Sequence, residues 1–196
     1  MKNADKQAQV FPEKHEAALS QHPELDSIRM GWDMHVKIDK IFHNLPFFHH
    51  HTHELRLKLT PIVENTPIRA FFLAHIGLEL LLDHLILVEG TVDDQQLYAE
   101  LAEVPQSHMI LFLEACQYSS ISTFLKFFEH FQQHRYLGMY SDISQVTQGL
   151  LNICKRVWKI TNTEELREQL TEQLEAYLEI LRPVYKSVFE EIEAQL

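Results

Sequence analysis

Glycine and cysteine are scarce in this chain, which has five glycines and two cysteines among its 196 residues. Runs of β-branched residues are also rare, whereas Leu, Glu, Gln, Phe and Ala dominate, and this composition favours helices over sheets. Cys116 and Cys154 lie far apart in the sequence and form no CxxC pair. We therefore expect both to be reduced core residues of a cytosolic protein, with a single disulfide as the alternative.

Several functional motifs and segments are missing from the sequence. It contains no GxxxxGK[ST] or GxGxxG phosphate loop and no GxSxG nucleophile elbow. The opening residues MKNADKQAQVFPEKHE include no apolar signal peptide, and the longest apolar stretch, 70–88, carries Glu79 and Asp83, which are costly inside a membrane. A net charge of −11 makes nucleic acid a poor partner. We expect a soluble, cytoplasmic protein that binds neither nucleic acid nor membranes.

Helical periodicity runs through most of the chain, and no linker or fixed-period repeat divides it. The sequence predicts an all-α fold, with a polar segment over 1–24 and a single compact domain of about seven or eight helices over 25–196. Pro183 is expected to kink the last segment or to divide it into two helices. The leucine stripe of that segment is expected to pack on its own domain, with a homodimer as the alternative. The helical segments are roughly 25–43, 47–64, 68–88, 93–102, 106–117, 120–137, 141–158 and 163–195.

Two of these helices combine apolar faces with polar residues. In the first, His35 and Asp39 share a face with bulky apolar residues at spacings of three and four, so we expect both to point into the core. The helix at 68–88 is apolar almost all round, yet His75, Glu79 and Asp83 form a narrow stripe at i,i+4 spacing. Buried carboxylates need a cation, a partner or water, because burying them alone is very costly.

A divalent metal would satisfy these groups, and the proposed ligands are His35, Asp39, Glu79 and Asp83. Nitrogen and oxygen donors without cysteine fit Mn²⁺, which we expect first, or Fe²⁺, Mg²⁺ or Zn²⁺. Such a metal would activate water for hydrolysis. The alternative is a metal-free network of hydrogen bonds and salt bridges that includes Arg69. A weaker alternative site uses the i,i+4 histidine pairs of the chain, which are His49 with His53 and His130 with His134.

Two short blocks in these helices resemble the acyl carrier protein phosphodiesterase family. The block HVKID, residues 35–39, continues without a gap to Pro46 and resembles a family stretch of the form H-x-x-I-D-x-x-x-D-x-H-P. The block ELLLDHLI, residues 79–86, resembles D-x-x-x-D-H-x-L. A looser similarity lies in RYLGMYSDISQVTQGLLNICKRVW, so that the resemblance spans roughly 30–158.

The resemblance implies an HD-phosphohydrolase-like helical bundle and a metal-dependent hydrolase that releases 4′-phosphopantetheine from acyl carrier protein. For such a hydrolase we expect His75 and His84 either to support the metal ligands or to act as acid and base, and His43 and His51 to lie at the periphery. Acyl carrier protein is acidic, so basic residues would have to dock it. The candidates for this role are Lys37, Lys40, Arg56 and Arg69.

The chain departs from the family pattern at several positions. His43 and Leu45 stand where the family has Asp and His, and Glu79 replaces an Asp. Family members open with a segment that supplies a His and an Asp near the metal, and this chain begins roughly where that segment would end. We therefore expect that the segment was lost or that the chain is part of a longer protein, with impaired activity. The alternative is a non-catalytic helical interaction protein that keeps the fold with a degraded metal site.

Overall fold

A computed structural model describes residues 10–161 and 163–196 of the chain. These residues form α-helices and short 3-10 helices, and the described part contains no β-strand. The all-α prediction is therefore confirmed. Residues 1–9 of the predicted N-terminal segment and Asn162 lie outside the described residues.

The helices follow the predicted segments closely. Each of the eight predicted segments corresponds to a helix with ends within a few residues, and the last one is divided, because α9 ends at Leu181 and α10 begins at Lys186. Pro183 lies in this break, as predicted. The α-helices are α1 Glu16–Leu19, α2 Asp26–Asn44, α3 Pro46–Val63, α4 Ala70–Val88, α5 Asp94–Glu103, α6 Gln106–Ala115, α7 Ile121–His134, α8 Ile143–Val157, α9 Glu164–Leu181 and α10 Lys186–Glu193, with 3-10 helices at Pro12–Lys14, Pro23–Leu25 and Tyr136–Ser141.

The chain divides into two compact units, and the first combines the described residues up to Asp39 with Asp94–Tyr136. It contains α1, α2 as far as Asp39, and α5 to α7. Helix α6 contacts α1, α7 and the 3-10 helix Pro23–Leu25. The core of this unit is small and consists of Val10, Leu19, Leu25, Phe112, Leu113, Cys116 and Tyr118.

The second unit contains Lys40–Asp93 and Leu137–Leu196, and its centre is built from α3, α4, α8 and α9. Helix α4 contacts each of the other three, which explains why its sequence is apolar almost all round. Gly77 lies at the middle of this arrangement. A Cβ atom at Gly77 would lie 3.5 Å from Leu55 of α3, 3.7 Å from Leu150 of α8 and 3.9 Å from Leu174 of α9.

The leucine stripe of α9 faces the core of the second unit. Leu170, Leu174 and Leu181 are fully buried there, and Leu178 is 5% exposed. The prediction that the stripe packs within its own chain is therefore confirmed, because burial against α3, α4 and α8 uses the apolar face. The homodimer stays a prediction.

Helix α4 is the one helix in the described part of the chain that has the length and apolar composition to cross a membrane. Its most apolar window has a mean hydropathy of 1.9, and half of that window is buried. A core helix of a folded unit passes the same test, so the hydropathy of α4 is weak support for a membrane span. The cytoplasmic location stays a prediction.

Both cysteines are buried and free, as the sequence predicted. Cys116 belongs to the core of the first unit and Cys154 to the core of the second. Burial raises the pKa of each thiol to about 11, and in Cys116 the charge of Glu13 adds to the effect. Both side chains therefore act as small hydrophobic residues and not as nucleophiles.

Candidate metal centre

Three side chains of the second unit converge in one cluster: His43, His75 and Glu79. His43 Nε2 lies 3.2 Å from His75 Nε2 and 3.2 Å from Glu79 Oε1. The remaining distance, from His75 Nε2 to Glu79 Oε1, is also 3.2 Å. The exposed fractions of the three side chains are 27%, 41% and 34%, respectively. Two imidazole nitrogens and a carboxylate oxygen thus form a triangle with equal sides that solvent can reach.

The local sequence explains how two helices supply these groups. His75 and Glu79 are four residues apart in α4, so both project from the same face of that helix. His43 lies in the last turn of α2, which ends at Asn44. Leu45 is extended because it precedes Pro46, and Pro46 begins α3. The contacts of His43 with His75 and Glu79 place this end of α2 beside α4.

The buried ring of Phe48 on α3 holds both imidazoles. It makes edge contacts to His43 and His75, with ring centroids 4.7 Å and 5.0 Å apart. The two imidazole rings are themselves nearly parallel, at an angle of 18° and with centroids 4.9 Å apart. Phe48 is only 5% exposed and therefore has little freedom to move. The two Nε2 atoms are in this way oriented before any ligand arrives.

Hydrogen bonding alone does not satisfy this triangle. An ionised carboxylate only accepts, and an imidazole Nε2 either donates or accepts, depending on its proton. Each of the three atoms contacts the other two, and each is either a donor or an acceptor. At least two of the three atoms are therefore alike, so at least one contact joins two donors or two acceptors. A cation removes the conflict, because all three atoms then direct lone pairs towards it. Both histidines would carry their protons on Nδ1 in that state.

The dimensions of the triangle fit a metal ion. A zinc or similar ion lies about 2.1 Å from imidazole nitrogen and carboxylate oxygen. For atoms 3.2 Å apart, that bond length gives angles of about 100° at the metal, between ~90° for octahedral and ~109° for tetrahedral coordination. The three ligands would occupy one side of the ion. Its other positions would remain for water or substrate.

Asp83 continues the polar stripe of α4 but does not join the cluster. It lies eight residues after His75, which is about 12 Å along a helix axis, so the two side chains cannot bind the same ion. Burial, and to a lesser extent the charge of Glu79, raises the pKa of Asp83 to about 6. Of the two predicted ligands on α4, Glu79 thus lies in the cluster with His43 and His75, whereas Asp83 is a half-buried carboxyl group outside it.

The prediction that His35 and Asp39 point into a core is wrong. Both side chains are exposed, and every residue of α2 is at least partly exposed. His35 instead packs against Trp32, with ring centroids 6.0 Å apart, and the two line a largely apolar cavity of about 360 Å³ in the first unit. Neither residue belongs to the group of three ligand atoms found among the described residues. Other residues of this helix, Ile28 and Phe42, do pack against buried cores, but the positions of His35 and Asp39 are exposed to solvent.

His84 and His51 have structural partners. The Nδ1 of buried His84 donates to the Tyr140 carbonyl at 2.8 Å, so the proposed acid/base residue holds α4 to the segment before α8. His51, expected at the periphery, is only 6% exposed. Its Nδ1 lies 3.0 Å from the Tyr177 hydroxyl. That hydroxyl also donates to the His51 carbonyl at 3.1 Å. Burial lowers the pKa of His51 and raises that of Tyr177.

The remaining candidates lie at the surface. All four proposed docking residues, Lys37, Lys40, Arg56 and Arg69, are exposed. The rings of His130 and His134 stack with centroids 3.8 Å apart, while His134 Nδ1 donates to the His130 carbonyl at 3.0 Å. In the ranges 10–161 and 163–196, none of the i,i+4 histidine pairs belongs to a group of three ligand atoms.

The sequence contained two signals that could have placed His43 among the ligands. It stands in the position of a family aspartate, and it lies one turn before a proline that must end its helix. The pair on α4 also needs a third ligand from another helix, because two i,i+4 side chains cannot enclose an ion.

Comparison with known proteins identifies no family: no family model, no curated protein and no solved structure matches the chain. The resemblance to acyl carrier protein phosphodiesterases stays a prediction.

Proposed function

We propose that the protein is a metal-dependent hydrolase whose metal is held by His43, His75 and Glu79. The observation that carries the proposal is the triangle of three ligand atoms, each 3.2 Å from the other two. It supports a bound cation because no arrangement of protons satisfies all three contacts. The partial exposure of the three side chains supports catalysis over a closed structural site, since catalytic centres keep a position open for water or substrate.

The donor set narrows the choice of metal. Two imidazoles and one carboxylate suit Zn²⁺, Fe²⁺ and Mn²⁺, whereas Mg²⁺ prefers oxygen ligands. When bound, such an ion supplies an activated water and stabilises charge on a phosphoryl oxygen. The protein holds both Nε2 atoms towards the ion, and Phe48 fixes the two rings.

The proposed substrate is a phosphodiester, by the resemblance to acyl carrier protein phosphodiesterases. Lys40, Arg56 and Arg69 are exposed basic residues of the second unit that could meet an acidic carrier protein. A direct test incubates the metal-loaded protein with phosphopantetheinylated acyl carrier protein. Mass spectrometry should then detect loss of the 4′-phosphopantetheine arm.

The metal proposal is tested on the full chain by elemental analysis and by hydrolysis of bis(4-nitrophenyl) phosphate. We expect one equivalent of a first-row divalent metal, and we expect chelation to abolish hydrolysis. His43→Ala should lose both metal and activity. His35→Ala is the matched control, because it removes an exposed imidazole from the same helix outside the cluster.

The outcomes separate the alternatives. Equal metal binding by wild type and His43→Ala would contradict the proposed site. Stoichiometric metal that depends on His43, without hydrolysis of any phosphodiester tested, would favour the non-catalytic interaction protein. Loss of metal in His35→Ala but not in His43→Ala would restore the ligand set that the sequence predicted.

A further inference from the structure

A second feature of the second unit is a cavity that shares His75 with the metal centre. Its volume is about 240 Å³, below the roughly 300–1,000 Å³ of pockets that enclose drug-sized ligands, so it suits a single small group. All of its lining residues come from α3 and α4. They are His49, Thr52, His53, Arg56, Phe71 and His75.

Arg56 gives this cavity a positive charge that its lining does not neutralise. A guanidinium is protonated at any physiological pH. Among the described residues, no carboxylate lies within ion-pair distance of Arg56, in contrast to Arg167 and Arg182, which pair with Glu164 and Glu89. The lining contains no Asp or Glu. An anionic group is therefore the ligand whose charge fits.

The hydrogen-bond donors of the lining agree with this assignment. Arg56 Nη2 donates to His53 Nδ1 at 3.1 Å, so a neutral His53 carries its proton on Nε2 and offers a second donor. The guanidinium keeps its other N–H groups, whose planar arrangement matches two oxygens of a phosphoryl group. The Thr52 hydroxyl donates to the Phe48 carbonyl at 2.7 Å and offers a ligand only lone pairs. The donors are thus concentrated around Arg56.

We infer that this cavity is the subsite for the phosphoryl group of the substrate, with Arg56 as its principal binding residue. The inference rests on the proposed function, because the shared His75 would place the anion next to the metal. The carboxylate of Glu79 lies 3.2 Å from His75 Nε2 and repels an anion in the metal-free protein. A divalent cation reverses the sign of the local charge. Metal should therefore tighten phosphoryl binding.

The test titrates dimethyl phosphate into the full-length protein, with and without zinc, and follows arginine and histidine side-chain resonances by NMR. Zinc should tighten binding in the wild type. Arg56→Gln should weaken dimethyl phosphate binding to the zinc-loaded protein by about tenfold or more, because the positively charged, planar guanidinium is lost. Lys58→Gln is the matched control: Lys58 is exposed on the same helix and does not line the cavity. It should change the affinity less than about twofold, as screened surface charges do.

The results distinguish failure of the subsite from failure of the metal site. If wild type does not bind dimethyl phosphate, or if Arg56→Gln and Lys58→Gln lose the same affinity, the subsite is wrong. Zinc binding that depends on His43, together with unchanged dimethyl phosphate affinity in Arg56→Gln, would reject the subsite and keep the metal centre. Binding that depends on Arg56 in a protein that takes up no zinc would keep the anion site and reject the proposed function.

Discussion

The two units contain the same short motif with different outcomes. His35 and Asp39 in the first unit, and His75 and Glu79 in the second, are each a histidine followed four residues later by an acid on one helix. The first pair is exposed on α2. The second pair is half-buried on α4 and meets His43, so that three ligand atoms lie 3.2 Å apart. The i,i+4 spacing within a helix can therefore supply two metal ligands, and helix packing decides whether another helix contributes a third ligand.

The size of the core accounts for the contrast. Both α2 and α7 consist of residues that are all at least partly exposed, whereas nine of the 19 residues of α4 are buried, and α4 contacts three other helices. The polar residues His35 and Asp39 of α2 are exposed to water. A polar residue on α4 loses water, and the raised pKa of Asp83 records that loss. Burial on α4 thus shifts the pKa of Asp83.

The largest expected effect concerns the two cores themselves. Leu78→Ala, at a fully buried position of α4, should lower the free energy of unfolding by about 3–5 kcal/mol, because the well-packed surroundings leave a cavity. Leu19→Ala in the first unit, at a position 1% exposed, should cost about 2–3 kcal/mol because a small core can relax into the space. Chemical denaturation measures both. Equal costs would show that the two cores are equally rigid.

The second prediction compares the two acids of the repeated motif. Glu79→Gln should weaken zinc affinity by more than about 100-fold, since a ligand matters more than the outer residues that orient it. Asp39→Asn should change zinc affinity less than about twofold, because Asp39 is exposed and outside the cluster. Competition titration with a zinc chelator measures both constants. A comparable loss in the two variants would remove the distinction between the units.

The third prediction uses the half-buried carboxyl group. The native protein binds a proton at Asp83 more tightly than the unfolded chain does, because its pKa is raised from 3.8 to about 6. Wild-type stability should therefore fall as the pH rises from about 4 through about 6. Asp83→Asn should be more stable than wild type by about 2–3 kcal/mol at pH 8 and by about half as much at pH 5.

Denaturation at several pH values checks this dependence. Asp33→Asn is the matched control, because Asp33 is an exposed acid on α2 of the first unit. A constant difference between Asp83→Asn and wild type from pH 5 to pH 8 would show that Asp83 is solvated in the folded protein.

The smallest expected effect compares two helical glycines. Gly31→Ala on α2 should stabilise the protein by about 0.5–1 kcal/mol through helix propensity, as nothing lies within 4 Å of the added methyl. Gly77→Ala on α4 should gain slightly more, because its methyl would make ordinary contacts at 3.5–3.9 Å with three leucines. Thermal unfolding compares the two. Destabilisation by Gly77→Ala would mean that the second core has no room for one methyl group.

Most helices were predictable because their signals are local. Apolar periodicity placed α2 to α9, and prolines marked the breaks before α3 and between α9 and α10. The buried, free state of Cys116 and Cys154 also followed from the sequence. The metal cluster was only partly predictable. The stripe with His75 and Glu79 is visible on α4, but periodicity predicts His35 and Asp39 as the partners from α2, which lie about two turns and one turn before His43.

The sequence alone determined which segments are helical and which acids and histidines share a helix face, because both properties depend on neighbours within a few residues. Only the tertiary structure decided which of those faces are buried and which residue of another helix supplies the third ligand of the candidate metal centre. Burial and convergence depend on how distant segments pack. The same spacing therefore gives an exposed pair, His35 and Asp39, on α2, and two of the three ligands of the cluster on α4.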